Sequence, residues 1–429
     1  MTQIKLLKEG KITTQVRRIS KEEGIPEEFI VQGVIKGEIV VPSNSKHKLV
    51  HPIGIGKGLK TKVNSNIGSS PDCIDYELER QKANISEEAG ADTIMDLSTG
   101  GDLSKFRSII RENFSGPLGT VPIYEAAIKA AQNKGGIIFM TSDDIFEVIE
   151  SHAKDGVDFI TVHCGVTIST FEKLKYEGRV TDVVSRGAAF LLTWMIANNK
   201  ENPLYEYFDR LLDIAYKYDL TLSLGDGFRP GSIADSTDRA QIQELTILGE
   251  LKEIANARGV QVMIEGPGHI PLNEVEANVL LEKKLCRNAP FYVLGPVVTD
   301  IAPGYDEITS AIGGAIAAAA GADFLCYVTS SEHMGLPTLE EVRRGIIVAR
   351  IAAHVGDIVK GVKGAKEWDL KMSKARKELD WQKQIELAID PYILTKTRKE
   401  RIPHEPNVCT MCGKYCAIKL VEQALKKHK

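Results

Sequence analysis

The 429-residue chain predicts an α/β fold, a (β/α)8 TIM barrel with a small N-terminal subdomain and a C-terminal helical tail that bears clustered cysteines. Three observations carry that expectation. From residue 90 onward, short apolar or β-branched runs alternate with amphipathic stretches long enough to be helices. There are eight such runs in about 260 residues, the arithmetic of one strand and one helix repeated eight times. Each run ends on polar, ionisable or glycine residues, as the strands of such a barrel do at the mouth that holds the catalytic groups. Periodicity does not show closure, so a doubly wound sheet stays the alternative.

Residues 1–85 read as the N-terminal subdomain. A short amphipathic helix is followed by an alternating stretch over 32–41, which predicts a strand. Pro52-Ile-Gly-Ile-Gly-Lys-Gly58 lacks the frame of a phosphate loop and reads as a turn, and Asn64 and Asn66 read as loop residues. The barrel is assigned to 86–355. Its strands are expected over 93–98, 119–123, 159–163, 182–187, 221–227, 261–267, 291–296 and 323–328, with helices such as 204–218, 238–258 and 339–354 between them. The strand ends gather Asp96, Tyr124, His163, Ser185 with Arg186, Asp226 with Arg229, Glu265 with His269, Tyr292, and Glu332 with His333. Any one of these could be an ordinary loop polar group, but eight strands ending alike point to a common mouth. Residues 356–429 read as a charged helical appendage, broken at Pro403-His-Glu-Pro406 and ending in a basic tail.

That tail holds Cys409-Thr-Met-Cys-Gly-Lys-Tyr-Cys416, three of the seven cysteines within eight residues. Soft thiolates at this spacing suit either an iron–sulfur cluster or zinc. Zinc would need a fourth ligand, which His404 or His428 could supply; a four-iron cluster held by three Cys leaves one iron open. His269 and His333 could together hold a divalent metal at the mouth or be unrelated loop residues. Asp226 and Arg229 could serve a ligand or close a loop as an ion pair.

A net charge of −4 argues against nucleic acid or an anionic membrane surface as partner. The longest apolar run, 311–322, is too short to span a bilayer, and residues 2–11 are too polar for a signal peptide. Seven cysteines with three clustered are not a disulfide framework in a chain of this length. A cytoplasmic location is expected.

Longer motifs carry a resemblance. Thr61-Lys-Val-Asn-Ser-Asn-Ile-Gly68, Met95-Asp-Leu-Ser-Thr-Gly100, Gly119-Thr-Val-Pro-Ile-Tyr124 and Ser185-Arg-Gly187 occur in order. So do Leu224-Gly-Asp-Gly-Phe-Arg-Pro-Gly-Ser-Ile-Ala-Asp235, Glu265-Gly-Pro-Gly-His269, Leu294-Gly-Pro296, Thr299-Asp-Ile-Ala-Pro-Gly-Tyr305 and Glu332-His-Met-Gly-Leu-Pro337. Together they resemble the phosphomethylpyrimidine synthase family of thiamine biosynthesis, from about residue 60 to the end. The resemblance implies a radical S-adenosylmethionine lyase that converts 5-aminoimidazole ribotide into 4-amino-5-hydroxymethyl-2-methylpyrimidine phosphate, releasing formate and carbon monoxide. It implies a [4Fe–4S] cluster on Cys409, Cys412 and Cys416, whose free iron takes S-adenosylmethionine and yields the 5′-deoxyadenosyl radical. It also implies Zn2+ on His269 and His333, and a substrate pocket of Asn66, Met95, Tyr124, His163, Ser185, Arg186, Gly187, Asp226, Arg229, Glu265 and Tyr292. A homodimer is implied, the tail of one subunit covering its partner's active site, with an electron donor such as a flavodoxin or ferredoxin.

Two positions depart from the family pattern. Three residues separate Cys412 from Cys416 where the family usually has four, and Ala188-Ala189 follow Gly187 where it commonly continues Gly-Ser. A paralogous branch, the 5-hydroxybenzimidazole synthases, resembles the chain equally well in outline. From another class, a non-catalytic barrel with a zinc-bound tail is the remaining alternative.

Overall fold

The structure is a computed structural model and describes residues 1–405 and 407–427. It falls into two compact units, Met1–Lys360 and Gly361–Lys429.

The first unit is built on a closed barrel of eight parallel strands, paired in chain order, with the last strand returning to the first. The strands are β1 (Lys62–Ile67), β2 (Thr93–Asp96), β3 (Leu118–Thr120), β4 (Phe159–Val162), β5 (Thr221–Leu224), β6 (Val262–Gly266), β7 (Phe291–Leu294) and β8 (Phe324–Cys326). Seven of these coincide with runs expected to be strands. The eighth expected strand, 182–187, is instead part of the long crossover from β4 to β5. Its Val183-Val184 pair is β-branched, yet Ser185 caps the helix Arg186–Asn198 by accepting from the Ala188 N–H. The strand that completes the barrel is β1, inside the stretch assigned to the N-terminal subdomain. Asn64 and Asn66, expected as loop residues, lie in this strand, which is polar where parallel strands usually read as apolar runs. Those asparagines face the barrel interior, where other polar groups meet them.

Pairing register aligns Asn64 with Thr93, Met95 with Gly119, and Gly119 with Phe159. It continues through Phe159 with Thr221, Ser223 with Met263, and Glu265 with Tyr292. Side chains on alternate positions of each strand therefore form layers inside the barrel. The lower filling is aromatic: Phe159 meets Phe324 edge-on at 6.4 Å, and Tyr292 stacks on Phe324 at 4.2 Å. Gly119 makes room for this, since a Cβ there would lie 2.3 Å from the Phe159 ring.

Helices cover the outside of the barrel, from Tyr76–Ala89 after β1 to Leu339–Lys360 after β8. Extra helices follow β3 and β4, including Ser142–Lys154 and Phe208–Tyr218. Ahead of β1, helices Gln3–Lys8, Thr14–Glu23 and Glu27–Lys36 enclose a small core of their own, with Ile4, Val16, Ile19, Ile30 and Val34. The strand expected over 32–41 is mostly the end of Glu27–Lys36. Ile30, Val31 and Val34 are buried at helical spacing, and Gly37, at φ 69°, stops the helix; only Ile39–Val40 pairs, with Ile55–Gly56. This layer is tied to the barrel where the Val41 N–H donates to Gln261 Oε1 and the Asn44 N–H to Asp158 Oδ1.

The second unit is helical, with Ala365–Lys377, Trp381–Leu387, Pro391–Glu400 and Ala417–Lys427. The cysteine loop lies between the last two, wound through a single 3₁₀ turn, Gly413–Tyr415.

Candidate active site

The barrel mouth holds a cavity, partly open to solvent. Eight residues of the expected pocket line it: Asn66, Met95, Tyr124, His163, Asp226, Arg229, Glu265 and Tyr292. Thr161 and Cys326 line it as well and were not expected. Both sit at inward positions near strand ends, so pairing register would have found them once β1 was counted.

Each polar group on the wall has a definable state. Glu265 accepts from the Thr161 and Ser223 hydroxyls through one oxygen, at 2.7 and 2.6 Å, and burial raises its pKa. Asp226 is raised further by burial, against the pull of Arg229, which touches it at 3.3 Å. Asp226 Oδ2 has no partner. Burial, helped by Arg229, lowers the His163 imidazole to about 3, so the ring is neutral, and its Nδ1 has no partner. Two buried polar atoms without partners on one cavity wall are what a polar ligand would satisfy.

On the β1 side, a relay of amides replaces the loop expected there. Thr93 Oγ1 donates to Asn64 Oδ1, whose amide donates to Asn66 Oδ1 and Tyr292 Oη; Asn66 in turn donates to Cys326 Sγ at 2.9 Å. Burial raises Tyr292 and Tyr124 and pushes the Cys326 thiol up to about 12. This wall is uncharged.

Ser185, Arg186 and Gly187 stand beside the cavity at the start of helix Arg186–Asn198. Ser185 Oγ is 3.2 Å from His163 Nε2, and the Arg186 guanidinium lies 5.1 Å from the Tyr124 ring centre. A Cβ on Gly187 would fall 2.3 Å from His163 Cε1, so only glycine lets the helix start close over that ring. Asp96 is excluded from this group. It occupies an outward position on β2 and accepts from the Ser98 N–H.

His269 and His333 come together, their ring centres 5.2 Å apart. His269 Nδ1 meets Asp300 at 2.8 Å and His333 Nδ1 meets Asp306 at 3.0 Å. Carboxylates on both Nδ1 atoms leave both Nε2 atoms for another ligand, the arrangement in which imidazoles hold metals. Among the described residues, no three His, Cys, Asp or Glu side chains converge at single-ion distance.

In the second unit the cysteine loop folds tightly. The Gly413 N–H donates to Cys409 O, the Tyr415 N–H to Cys412 O and the Cys416 N–H to Gly413 O. The backbone N–H groups of Cys412 and Met411 lower the Cys409 thiol pKa and favour its thiolate. Cys409 and Cys416 are half-buried and Cys412 is exposed. In a cluster each thiolate takes a different iron, so this donor set fits a cluster rather than one ion. Of the two histidines that could complete a zinc site, His404 is exposed and makes no hydrogen bond to a cysteine among the described residues, and His428 lies outside the described residues.

Comparison with known proteins agrees with this geometry. Residues 2–423 match the family model described as the Radical SAM ThiC family. The phosphomethylpyrimidine synthase of Desulforamulus reducens is 59% identical over 428 residues, covering 100% of this chain and 99% of that protein. That of Thermoanaerobacter sp. (strain X514) is 60% identical over 425 residues, covering 99% and 98%. The Geobacter metallireducens protein of the same name is 58% identical over 429 residues, covering 100% and 98%. A closed parallel barrel, a polar cavity at its mouth and a three-cysteine tail accompany these matches, and the chain belongs to the Radical SAM ThiC family of enzymes.

Proposed function

We propose that the chain converts 5-aminoimidazole ribotide into 4-amino-5-hydroxymethyl-2-methylpyrimidine phosphate for thiamine, with formate and carbon monoxide as by-products. The observation that carries this reading is the identity of 58–60% over essentially the whole length with proteins named phosphomethylpyrimidine synthase.

The cavity chemistry supports it. A ribotide brings one phosphate and a polar heterocycle. Arg229 and Arg186, with the backbone N–H groups at the start of Arg186–Asn198, supply positive potential for the phosphate. Asp226 Oδ2 and His163 Nδ1 meet the ring and ribose polar atoms. Glu265, held by Thr161 and Ser223, is fixed in place to accept or deliver a proton at one oxygen. His269 and His333 would hold Zn2+, each oriented by its aspartate. Cys409, Cys412 and Cys416 would hold the [4Fe–4S] cluster, which when bound supplies the electron that cleaves S-adenosylmethionine.

A homodimer is part of the proposal. Ile308, Ile312 and Ile316 form an exposed stripe on Asp306–Ala320, as do Ile351, Val355 and Val359 on Leu339–Lys360. Apolar stripes on two neighbouring barrel helices suit a second copy. An acidic flavodoxin or ferredoxin is the proposed electron donor. A cytoplasmic setting is part of the proposal; no helix among the described residues is long and apolar enough to cross a membrane.

The test is product identity. Anaerobically reconstituted protein, incubated with reductant, S-adenosylmethionine and the ribotide, should yield the pyrimidine phosphate by mass spectrometry. Formation of 5-hydroxybenzimidazole instead would assign the paralogous branch. A colourless protein without broad absorption near 400 nm after reconstitution would remove the radical chemistry and leave the zinc-bound, non-catalytic reading.

A further inference from the structure

The turn that carries Asp226 and Arg229 is gripped along its backbone from two sides by Glu244 and Arg179, which lie outside the cavity lining. From one side comes Glu244, on helix Arg239–Ala257 and 2% exposed. Its Oε1 accepts from the Gly227 N–H at 2.9 Å and its Oε2 from the Phe228 N–H at 2.8 Å. From the other side comes Arg179, whose side chain is fully buried. Its Nη2 donates to Phe228 O at 2.6 Å and its Nη1 to Arg229 O at 3.3 Å. Asp238 holds that guanidinium in turn, at 2.6 Å to Nε and 2.8 Å to Nη2.

The side chains at the cavity do little to fix one another. Asp226 meets Arg229 at 3.3 Å through one oxygen only, and its second oxygen has no partner. Their placement therefore comes from the backbone. The surroundings are cut to fit the clamp: a Cβ on Gly227 would lie 3.1 Å from Glu244 Oε1, and one on Gly165 would lie 2.6 Å from Glu244 Cγ. Burial raises the Glu244 carboxyl to about 8, opposed by the Phe228 and Gly227 N–H groups, and a carboxyl whose two oxygens both face N–H groups of one turn restrains that turn.

We infer that Glu244 and Arg179 are positioning residues, which set Asp226 and Arg229 at the spacing the ribotide needs. This rests on the function proposed above. Neither residue touches the cavity, so both act through the turn.

The experiment compares the full-length, cluster-loaded enzyme with its Glu244→Gln variant. Above pH 8, where Glu244 is ionised, it accepts both N–H groups, whereas a glutamine accepts one and turns its own NH2 toward the other, so the two are compared there. Hydrogen exchange of a peptide spanning 226–231 should become roughly tenfold faster, with a peptide over 93–96 unchanged. Turnover of the ribotide should fall roughly tenfold or more in kcat while KM changes less, because the turn still binds but misplaces. Glu244→Asp should recover part of the kcat. Arg179→Lys, which keeps the charge and loses the fork, should give the same pattern and serves if Glu244→Gln does not fold. Unchanged exchange at 226–231 overturns the inference, as does faster exchange with kcat and KM both within twofold of wild type. If the wild-type enzyme makes no product from the ribotide but the loop exchange responds as described, the proposed function falls and the clamp on the turn stands.

Discussion

At the scale of single residues, the barrel carries buried acids whose states depend on pH. Glu282, on helix Leu272–Leu285, is fully buried, and its close polar neighbour is Lys283, whose Nζ lies 3.5 Å from Oε2. Burial raises its pKa to about 7, opposed by Lys283 and reinforced by Asp323. A carboxyl raised in the folded state contributes stability that is complete below its unfolded pKa and is lost as pH rises through the folded value. We expect wild-type stability in urea to fall between pH 5 and pH 8, and Glu282→Gln to flatten that fall by on the order of 3 kcal/mol. An equal pH slope in the two proteins would contradict the assignment. At the proposed zinc site, His269→Ala should lose bound zinc by elemental analysis, while Asp300→Asn should keep the ring and weaken zinc about tenfold to a hundredfold. These aspartates were not legible in the sequence. Asp300 and Asp306 lie 31 and 27 positions from the histidines they orient, and no spacing rule joins them.

At the scale of elements, seven barrel strands were legible because their apolar runs end on chemistry-bearing residues. β1 was not, since its inward face is amide and hydroxyl, and sequence polarity cannot separate a polar barrel interior from a loop. The opposite error, 182–187, came from two valines whose β-branched side chains say nothing about pairing partners. Asn64 and Asn66 resemble loop residues in the sequence because, beyond the bond between them, their partners are Thr93, Tyr292 and Cys326, all remote in sequence. The cavity residues on recognisable motifs were found, whereas Thr161 and Cys326 needed the register. One strand position gives a direct test of the packed interior. Gly119→Ala places a Cβ against the Phe159 ring, and overpacking of this kind costs about 1–3 kcal/mol in urea unfolding. A neutral result would mean the ring moves freely inside the barrel.

At the scale of the whole molecule, charge and chemistry are divided between the two units. Residues 361–429 carry 16 Lys and Arg against nine Asp and Glu, while 1–360 carry 38 against 49. The unit with the cysteines is therefore net basic and the unit with the cavity net acidic, and salt screens the field of each. The division also makes the two separable by mutation. Cys412→Ala should abolish 5′-deoxyadenosine formation while circular dichroism and thermal unfolding of the barrel stay as in wild type, because Cys412 is exposed and holds no part of the barrel core. Continued cleavage of S-adenosylmethionine in that variant would place the cluster elsewhere.

Closure of the barrel by β1 and β8 has a consequence for synthesis. Leu325 pairs with Val63, and the Tyr327 N–H donates to Asn64 O, joining residues more than 260 positions apart. Asp357 then takes the Thr61 N–H and hydroxyl. Until residue 326 has left the ribosome, the growing chain carries two unpaired sheet edges, and the polar first strand has no partner on one side. Contacts so distant in sequence form slowly, and open edges invite pairing with other chains. The amides of β1 make one face of that waiting strand polar, so the polarity that hid it in the sequence also makes it a poorer apolar template while the barrel is incomplete.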